Sequence, residues 1–241
     1  MPSMKALQIS AKDLGWLNAS GFCERCFWIK RHNKKLPYQT PFAGIFSSID
    51  SYTKSIVEEH FEREGKLPEW LDKAGKAKRL VTVTQSGFVA PKGRSILTGV
   101  PDQLFERQDG SYGIIDYKTA RYTGTQDSLM PVYEVQLNGY AYIAESLGYS
   151  PVNSLYLVYF EPPVREQFRE FARKHTTEGG FEMPFAPVLH RVKRDREMIS
   201  RLIGMAERIF SSEAIPKGLD GCEDCRRLEK LIRLVTGSEG R

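Results

Sequence analysis

Asp116-Tyr117-Lys118-Thr119 closes a polar-apolar run that begins at Ser95. A helical stretch over residues 127–147 follows, and then Leu155-Tyr156-Leu157-Val158-Tyr159-Phe160. These three pieces decide the fold class. The last is an almost uninterrupted apolar run, the pattern of a strand covered on both faces, and Glu161-Pro162-Pro163 ends it. The helical stretch carries Val135, Leu137, Tyr140, Ile143, Ala144 and Leu147, with Gly148 as its stop signal. Strand, helix and buried strand in succession imply a right-handed crossover and a parallel pair inside a mixed sheet. The predicted class is α/β, a mixed central sheet flanked by helices.

Upstream, Leu80-Val-Thr-Val-Thr84 reads as a strand, Ser86-Gly87 as a turn, and Ser95 to Thr119 as one hairpin, which makes three strands before the crossover. Residues 45–64 form a first long helix, with Ile45, Ile49, Tyr52, Ile56 and Phe61 at roughly helical spacing. Gly65 and Pro68 stop it. Residues 13–32 read as a shorter helix anchored by Trp16, Leu17, Phe22, Phe27, Trp28 and Ile29, ended by a loop from Pro37 to Gly44. Downstream, a strand around Val188–Val192 and a helix over 195–212 complete the pattern.

With 241 residues the chain is long enough for one sizeable core, so a single domain over 1–241 is expected. Its core would be 45–212 and its edges 13–44 and 213–241. No apolar run approaches a bilayer span and the first residues lack a secretory apolar segment, so a cytoplasmic protein without membrane contact is expected. The net charge is +5. Basic residues gather at Lys30, Arg31, Lys34 and Lys35, at Lys73, Lys76, Lys78 and Arg79, and at Arg191, Lys193, Arg194 and Arg196. Such clusters suit a phosphodiester substrate, and equally an ordinary solvated face.

All four cysteines fall in two CxxC pairs, Cys23/Cys26 and Cys222/Cys225, almost 200 residues apart. Thiols used only in this way point to a tetrahedral thiolate site that joins the two edges. Between them lie Asp116 and Lys118, two apart on a strand and so on one face. Asp102 joins that face if the hairpin closes through the three-residue loop Asp109-Gly110-Ser111, which sets Asp102 opposite Lys118. A two-residue turn at Asp109-Gly110 would set it opposite Tyr117 instead. Converging carboxylates need a cation, and oxygen ligands suit Mg²⁺ or Mn²⁺. The ion would lower the pKa of a bound water while Lys118 orients the nucleophile or neutralises developing charge.

Gly99-Val100-Pro101-Asp102, Asp116-Tyr117-Lys118-Thr119 and then Gln136-x-x-x-Tyr140 on the following helix resemble the PD-(D/E)XK nuclease superfamily and its RecB-like branch. The pattern is similar to the CRISPR-associated RecB-like exonuclease family, over residues 16–225. The resemblance implies a restriction-endonuclease-like core of order αβββαβ. It implies a catalytic set of Asp102, Asp116, Lys118, Gln136 and Tyr140, and metal ligation by Asp102 and Asp116. It also implies a 4Fe-4S cluster on the cysteines, to which Zn²⁺ is the chemical alternative. The expected activity is metal-dependent DNA hydrolysis, as an exonuclease on single-stranded or end-bearing DNA, in repair, recombination or CRISPR adaptation. A degenerate domain that grips nucleic acid through the basic clusters and Trp16, Trp28 or Tyr122 is the alternative. Where relatives place a histidine on the first long helix, this chain offers Asp50 as a third ligand. His60, ten residues on, is read as a surface or core histidine and Glu58 and Glu59 as solvated. Iron-sulfur relatives also use one early and three late cysteines, not two and two.

Overall fold

The computed structural model describes residues 6–33, 44–84, 86–123 and 128–237. Lys34, Lys35 and the loop residues 37–43 lie outside them. In chain order come β1 (Leu7–Ser10), α1 (Ala11–Gly15), α2 (Glu24–His32), α3 (Gly44–Glu64), β2 (Ala77–Val81), β3 (Val89–Lys92), β4 (Ser95–Thr98), β5 (Gln103–Arg107) and β6 (Tyr112–Lys118). Then follow α4 (Met130–Ser146), β7 (Val152–Glu161), α5 (Phe168–His175), β8 (Thr176–Thr177), β9 (Gly180–Phe181), β10 (Ala186–Arg191), α6 (Met198–Phe210) and α7 (Glu223–Thr236).

Alternation along the central strands builds two cores. Ile114, Leu155, Leu157 and Tyr159 face one side, against α4 and α6, while Ile115, Tyr117, Tyr156, Val158 and Phe160 face the other, toward α3. The sheet between them runs β10-β7-β6-β5-β2. β6 and β7 pair in parallel, as the strand-helix-strand reading requires, and the other neighbours are antiparallel. Taken as α3, β2, β5, β6, α4, β7, the order is αβββαβ, and the mixed sheet flanked by helices is consistent with a restriction-endonuclease-like fold.

The expected single hairpin from Ser95 to Thr119 is two structures. β3 and β4 form their own hairpin, and β1 adds in parallel to β4 to make a separate three-stranded sheet. The chain then crosses at Gly99 into the large sheet. Gly99 has φ +147°, and a Cβ there would stand 2.6 Å from the Tyr140 ring, so glycine is demanded on both counts. β5 and β6 do close through three residues, but these are Gln108-Asp109-Gly110, with Arg107 N–H bonded to Ser111 O at 2.7 Å. Gln103 pairs with Ile115, which brings Asp102 level with Asp116 instead of Lys118. The register differs by two residues, so the face is unchanged.

Two helices differ from expectation. The stretch 13–32 is interrupted: α1 passes into a 3-10 turn at Trp16–Asn18, and α2 starts afresh after Cys23. α3 is a helix as expected, but its apolar period does not mark its buried face. Thr53 and Val57 are its buried residues, whereas Tyr52 is 70% exposed and Ile45 and Ile56 are exposed too. Four-residue spacing from Thr53 through Val57 to the half-buried Phe61 seats the helix by one narrow stripe.

α4 is buried nearly all round, including the polar Gln136 and Asn138. Asn138 is fully satisfied: its amide donates to Glu134 O and Lys193 O, and its oxygen accepts from Arg194 and from the Asp195 N–H. Arg194 also reaches Glu145 at 2.8 Å, which ties the segment leading into α6 to α4. α6 in turn buries Ile199, Leu202, Ile203, Ala206 and Ile209 at helical spacing, each large side chain worth about 1.5–3 kcal/mol.

At Gly113 the sheet leaves no space for a side chain, since a Cβ would fall 2.2 Å from the Phe105 ring across the strand pair. Gly113→Ala is therefore expected to lower stability by about 1–3 kcal/mol, read as a shifted urea midpoint at unchanged slope. An unchanged midpoint would mean that Phe105 can turn aside without cost.

Candidate active site and four-cysteine centre

Asp116, 3% exposed, lies on the α4 side of β6. Its Oδ1 accepts from Gln136 Nε2 at 3.2 Å, and Gln136 Nε2 also donates to the Tyr140 hydroxyl at 2.6 Å. Its Oδ2 forms an ion pair with Lys118 Nζ, yet accepts no hydrogen bond of good geometry. Gln136 Oε1 lies 3.4 Å from the same ammonium, and the Tyr133 ring lies 4.4 Å from it. Asp116, Lys118, Gln136 and Tyr140 thus form one cluster. Gln136 and Tyr140 share a face of α4 because they are four residues apart.

Asp102 immediately precedes β5. Its Oδ2 accepts the Tyr117 N–H at 2.7 Å, and its Oδ1 pairs with Lys54 at 2.7 Å. Lys54 also pairs with Asp50 at 2.7 Å. Asp50, on α3, is thus joined to Asp102 through Lys54, whose ammonium stands between the two carboxylates. The sequence carried a signal for this residue, since Asp50 and Lys54 are an i,i+4 pair, though it gave no reason to direct Lys54 at Asp102. His60 is half-buried, six residues beyond Lys54 on α3.

The electrostatics follow from burial. Burial raises the Asp116 carboxyl to about 6; Lys118 pulls in the opposite direction and the negative charge of Asp102 adds to the rise. Burial works against the charge on Lys54, but Asp102 and Asp50 hold its pKa above the ordinary lysine value. Burial likewise pushes the Tyr140 hydroxyl far up, so it stays neutral and accepts from Gln136. A buried carboxylate with one oxygen lacking a well-formed hydrogen bond, beside a second carboxylate, is a donor set that suits a hard divalent cation.

α2 and α7 bring the two CxxC pairs together. Sγ–Sγ separations are 3.6 Å for Cys23–Cys225, 3.6 Å for Cys26–Cys222 and 3.4 Å for Cys26–Cys225. Among the described residues this is the one group of three or more Cys, His, Asp or Glu whose ligand atoms all lie within 4.8 Å of one another. Asp50, Asp102 and Asp116 are not drawn that close. The Leu219 N–H donates to Cys23 Sγ at 3.3 Å. Although burial opposes it, this and the neighbouring donors bring the Cys23 thiol down to about 7. Burial and the adjacent sulfurs push Cys26 up. Four packed thiols cannot all ionise unless a cation is present, which is the condition a metal meets.

Neighbouring contacts secure this centre. Arg25 pairs with Glu229 at 2.8 Å and Arg208 with Glu24 at 2.6 Å, joining α2 to α7 and α6. Trp28 donates to Ser212 O at 3.1 Å and stacks on His32, which also stacks on Phe210. Trp28 is therefore a packing residue, and Tyr122 is occupied against Tyr159 and His190. Trp16 alone of the three rings suggested for stacking is exposed. Many of the basic residues read as a nucleic-acid footprint also serve internal pairs: Lys30 and Arg31 with Asp13, Lys78 and Arg79 with Glu106, Arg194 and Arg196 with Glu145.

Among known proteins, the solved crystal structure of SSO0001 is similar over 87% of this chain and 79% of that one, at 15% identity and a TM-score of 0.47. No curated protein matches. A sequence description of the PD-(D/E)XK nuclease superfamily matches residues 27–228, which include Asp50, Asp102, Asp116, Lys118, Gln136, Tyr140 and the second cysteine pair, Cys222 and Cys225. The chain belongs to the PD-(D/E)XK nuclease superfamily.

Proposed function

We propose that this protein is a divalent-metal-dependent DNA nuclease whose active site is the cluster at the ends of β5 and β6. The observation that carries the reading is the buried Asp116 carboxylate, ion-paired with Lys118 and within electrostatic reach of Asp102, in a chain whose superfamily usually hydrolyses nucleic acids. Asp116 and Asp102 would hold Mg²⁺ or Mn²⁺, which supplies a water of lowered pKa and polarises the phosphoryl oxygen. Lys118, kept at the site by Asp116 and the Tyr133 ring, orients the attacking water and offsets charge that develops on the phosphoryl group. Gln136 fixes Asp116 Oδ1, and Tyr140, uncharged, fixes Gln136. For Asp50 to ligate as well, Lys54 has to leave its position between the two carboxylates.

That position of Lys54 also supports the second reading, a catalytically degenerate domain that binds nucleic acid without cutting it, because an ammonium already neutralises Asp102. One assay separates them. With labelled single-stranded and duplex DNA in Mn²⁺ or Mg²⁺, the wild type is expected to cleave, and Asp116→Ala and Lys118→Ala to reduce the rate at least about 10²-fold. Asp50→Ala should cost less than Asp116→Ala. Binding without cleavage across substrates and both metals would establish the degenerate reading. Preference for free ends or single strands, and a place in repair, recombination or CRISPR adaptation, rest on the family resemblance alone.

For the cysteine centre the geometry favours Zn²⁺. A thiolate sits about 2.3 Å from zinc, so a tetrahedral site has sulfur–sulfur edges of about 3.8 Å, close to the separations of 3.4 and 3.6 Å here. In a 4Fe-4S cluster each thiolate binds its own iron at a corner of a cube, which requires the sulfurs to stand further apart. Anaerobic purification is expected to give a colourless protein with about one zinc per chain. A brown protein with iron and sulfide would establish the cluster instead. Cys26→Ser or Cys225→Ser should lower thermal stability and metal content together, because ligation contributes folding free energy.

A further inference from the structure

Between β7 and β10 the chain forms an arm with none of its residues buried. It consists of a 3-10 turn at Arg165–Gln167, then α5, then the two-stranded ribbon β8-β9. The helix has two distinct stripes. Phe168, Phe171 and His175 form one, with Phe171 stacked on His175. Arg169 and Arg173, four residues apart, form the other, with Arg165 one turn earlier. Phe168 is also 53% exposed, and at the ribbon Phe181 is 82% exposed.

Lys174 is paired with Glu170. Among the described residues Arg165, Arg169 and Arg173 have no carboxylate partner, in contrast to the paired clusters on the body of the protein. The arm also starts at the active-site end of the sheet. Lys118 pairs in register with Tyr159, two residues before β7 ends. Arg121 donates to Pro162 O at 2.9 Å and the Tyr122 N–H to Glu161 at 2.7 Å, so the segment leaving β6 is bonded to the root of the arm.

We propose that this arm grips one nucleic-acid strand as it enters or leaves the site at Lys118, an inference that rests on the nuclease reading above. Arg169 and Arg173, about 6 Å apart along the helix, and Arg165 would take successive phosphates through paired N–H donors. Phe168 and Phe181 would stack on unpaired bases. Basic side chains interleaved with exposed aromatic rings are what a single strand requires, since each base offers an apolar face and each linkage a charge. A purely apolar protein partner would bury three arginines without compensation.

The test uses the full-length Lys118→Ala protein, which can bind without cutting, and a fluorescent single-stranded oligonucleotide titrated across a range of salt concentrations. Arg165→Gln/Arg169→Gln/Arg173→Gln is expected to weaken binding at least about tenfold and to reduce the slope of log K against log salt by about 2, since each lost phosphate contact on a single strand removes about 0.7. Phe168→Ala/Phe181→Ala is expected to weaken single-strand binding about fivefold or more while duplex binding changes little. An unchanged Kd and slope in the arginine variant, or a loss of affinity with the slope intact, overturns the proposal. Hydrolysis of bis(p-nitrophenyl) phosphate by the wild type, a diester too small to reach the arm, tests the carboxylate site separately. Hydrolysis of that diester together with arm-independent binding removes the arm and keeps the nuclease. Arginine-dependent binding with no hydrolysis of any substrate removes the nuclease and keeps the arm as a strand-binding surface.

Discussion

A carboxylate buried on the face of a sheet is the constraint around which this molecule is arranged. Asp116 is placed on β6 among Ile114, Ile115 and Tyr117, where an unpaired charge would be costly. The surroundings answer that cost in specific ways. Lys118 comes from the same strand, Gln136 comes from the largely buried α4, and Asp102, just before β5, accepts the N–H of Tyr117. Gly99 follows from the same arrangement, because the chain that delivers Asp102 must pass against the Tyr140 ring.

The cysteine centre solves a different problem. α2 and α7 lie almost 200 residues apart in sequence and each has a limited apolar face, with Phe27 the buried apolar anchor of one and Cys225 the sole buried residue of the other. Closing such a loop by packing alone is entropically unfavourable. A metal held by both CxxC pairs would supply that closure, supported by the Arg25–Glu229 and Arg208–Glu24 pairs at the rim. Those exposed pairs are worth little individually.

Much of the core is legible in the amino-acid pattern. The parallel pair β6–β7 follows from an apolar run after a helix, and the convergence of all four cysteines follows from CxxC spacing. Less legible is the region from Val89 to Thr98, where Pro91 and the tight turn at Gly93 form a hairpin in a second sheet. Its short strands resemble the start of a longer one, and Pro91 stands on an edge strand as a proline must. The face of α3 is easily misread because Ile45, Ile49, Tyr52 and Ile56 keep helical period, whereas Thr53 and Val57 make the contact. Period shows that a stripe exists, and the partner surface chooses which stripe is used.

The chain alone determined local, periodic and chemical properties: the long helices and the central strands, that Asp116 and Lys118 share a face, that Gln136 and Tyr140 share another, and that the cysteines form pairs. Each of these depends on spacings within one element. Tertiary structure decided what depends on meeting across elements. It set the register that brings Asp102 level with Asp116, placed Lys54 between Asp50 and Asp102, and gave basic clusters partners such as Asp13, Glu106 and Glu145. A one-dimensional pattern specifies side-chain directions on its own helix or strand. Long-range ion pairs and strand register depend on where loops return the chain, and that is fixed only when the two cores close around the sheet.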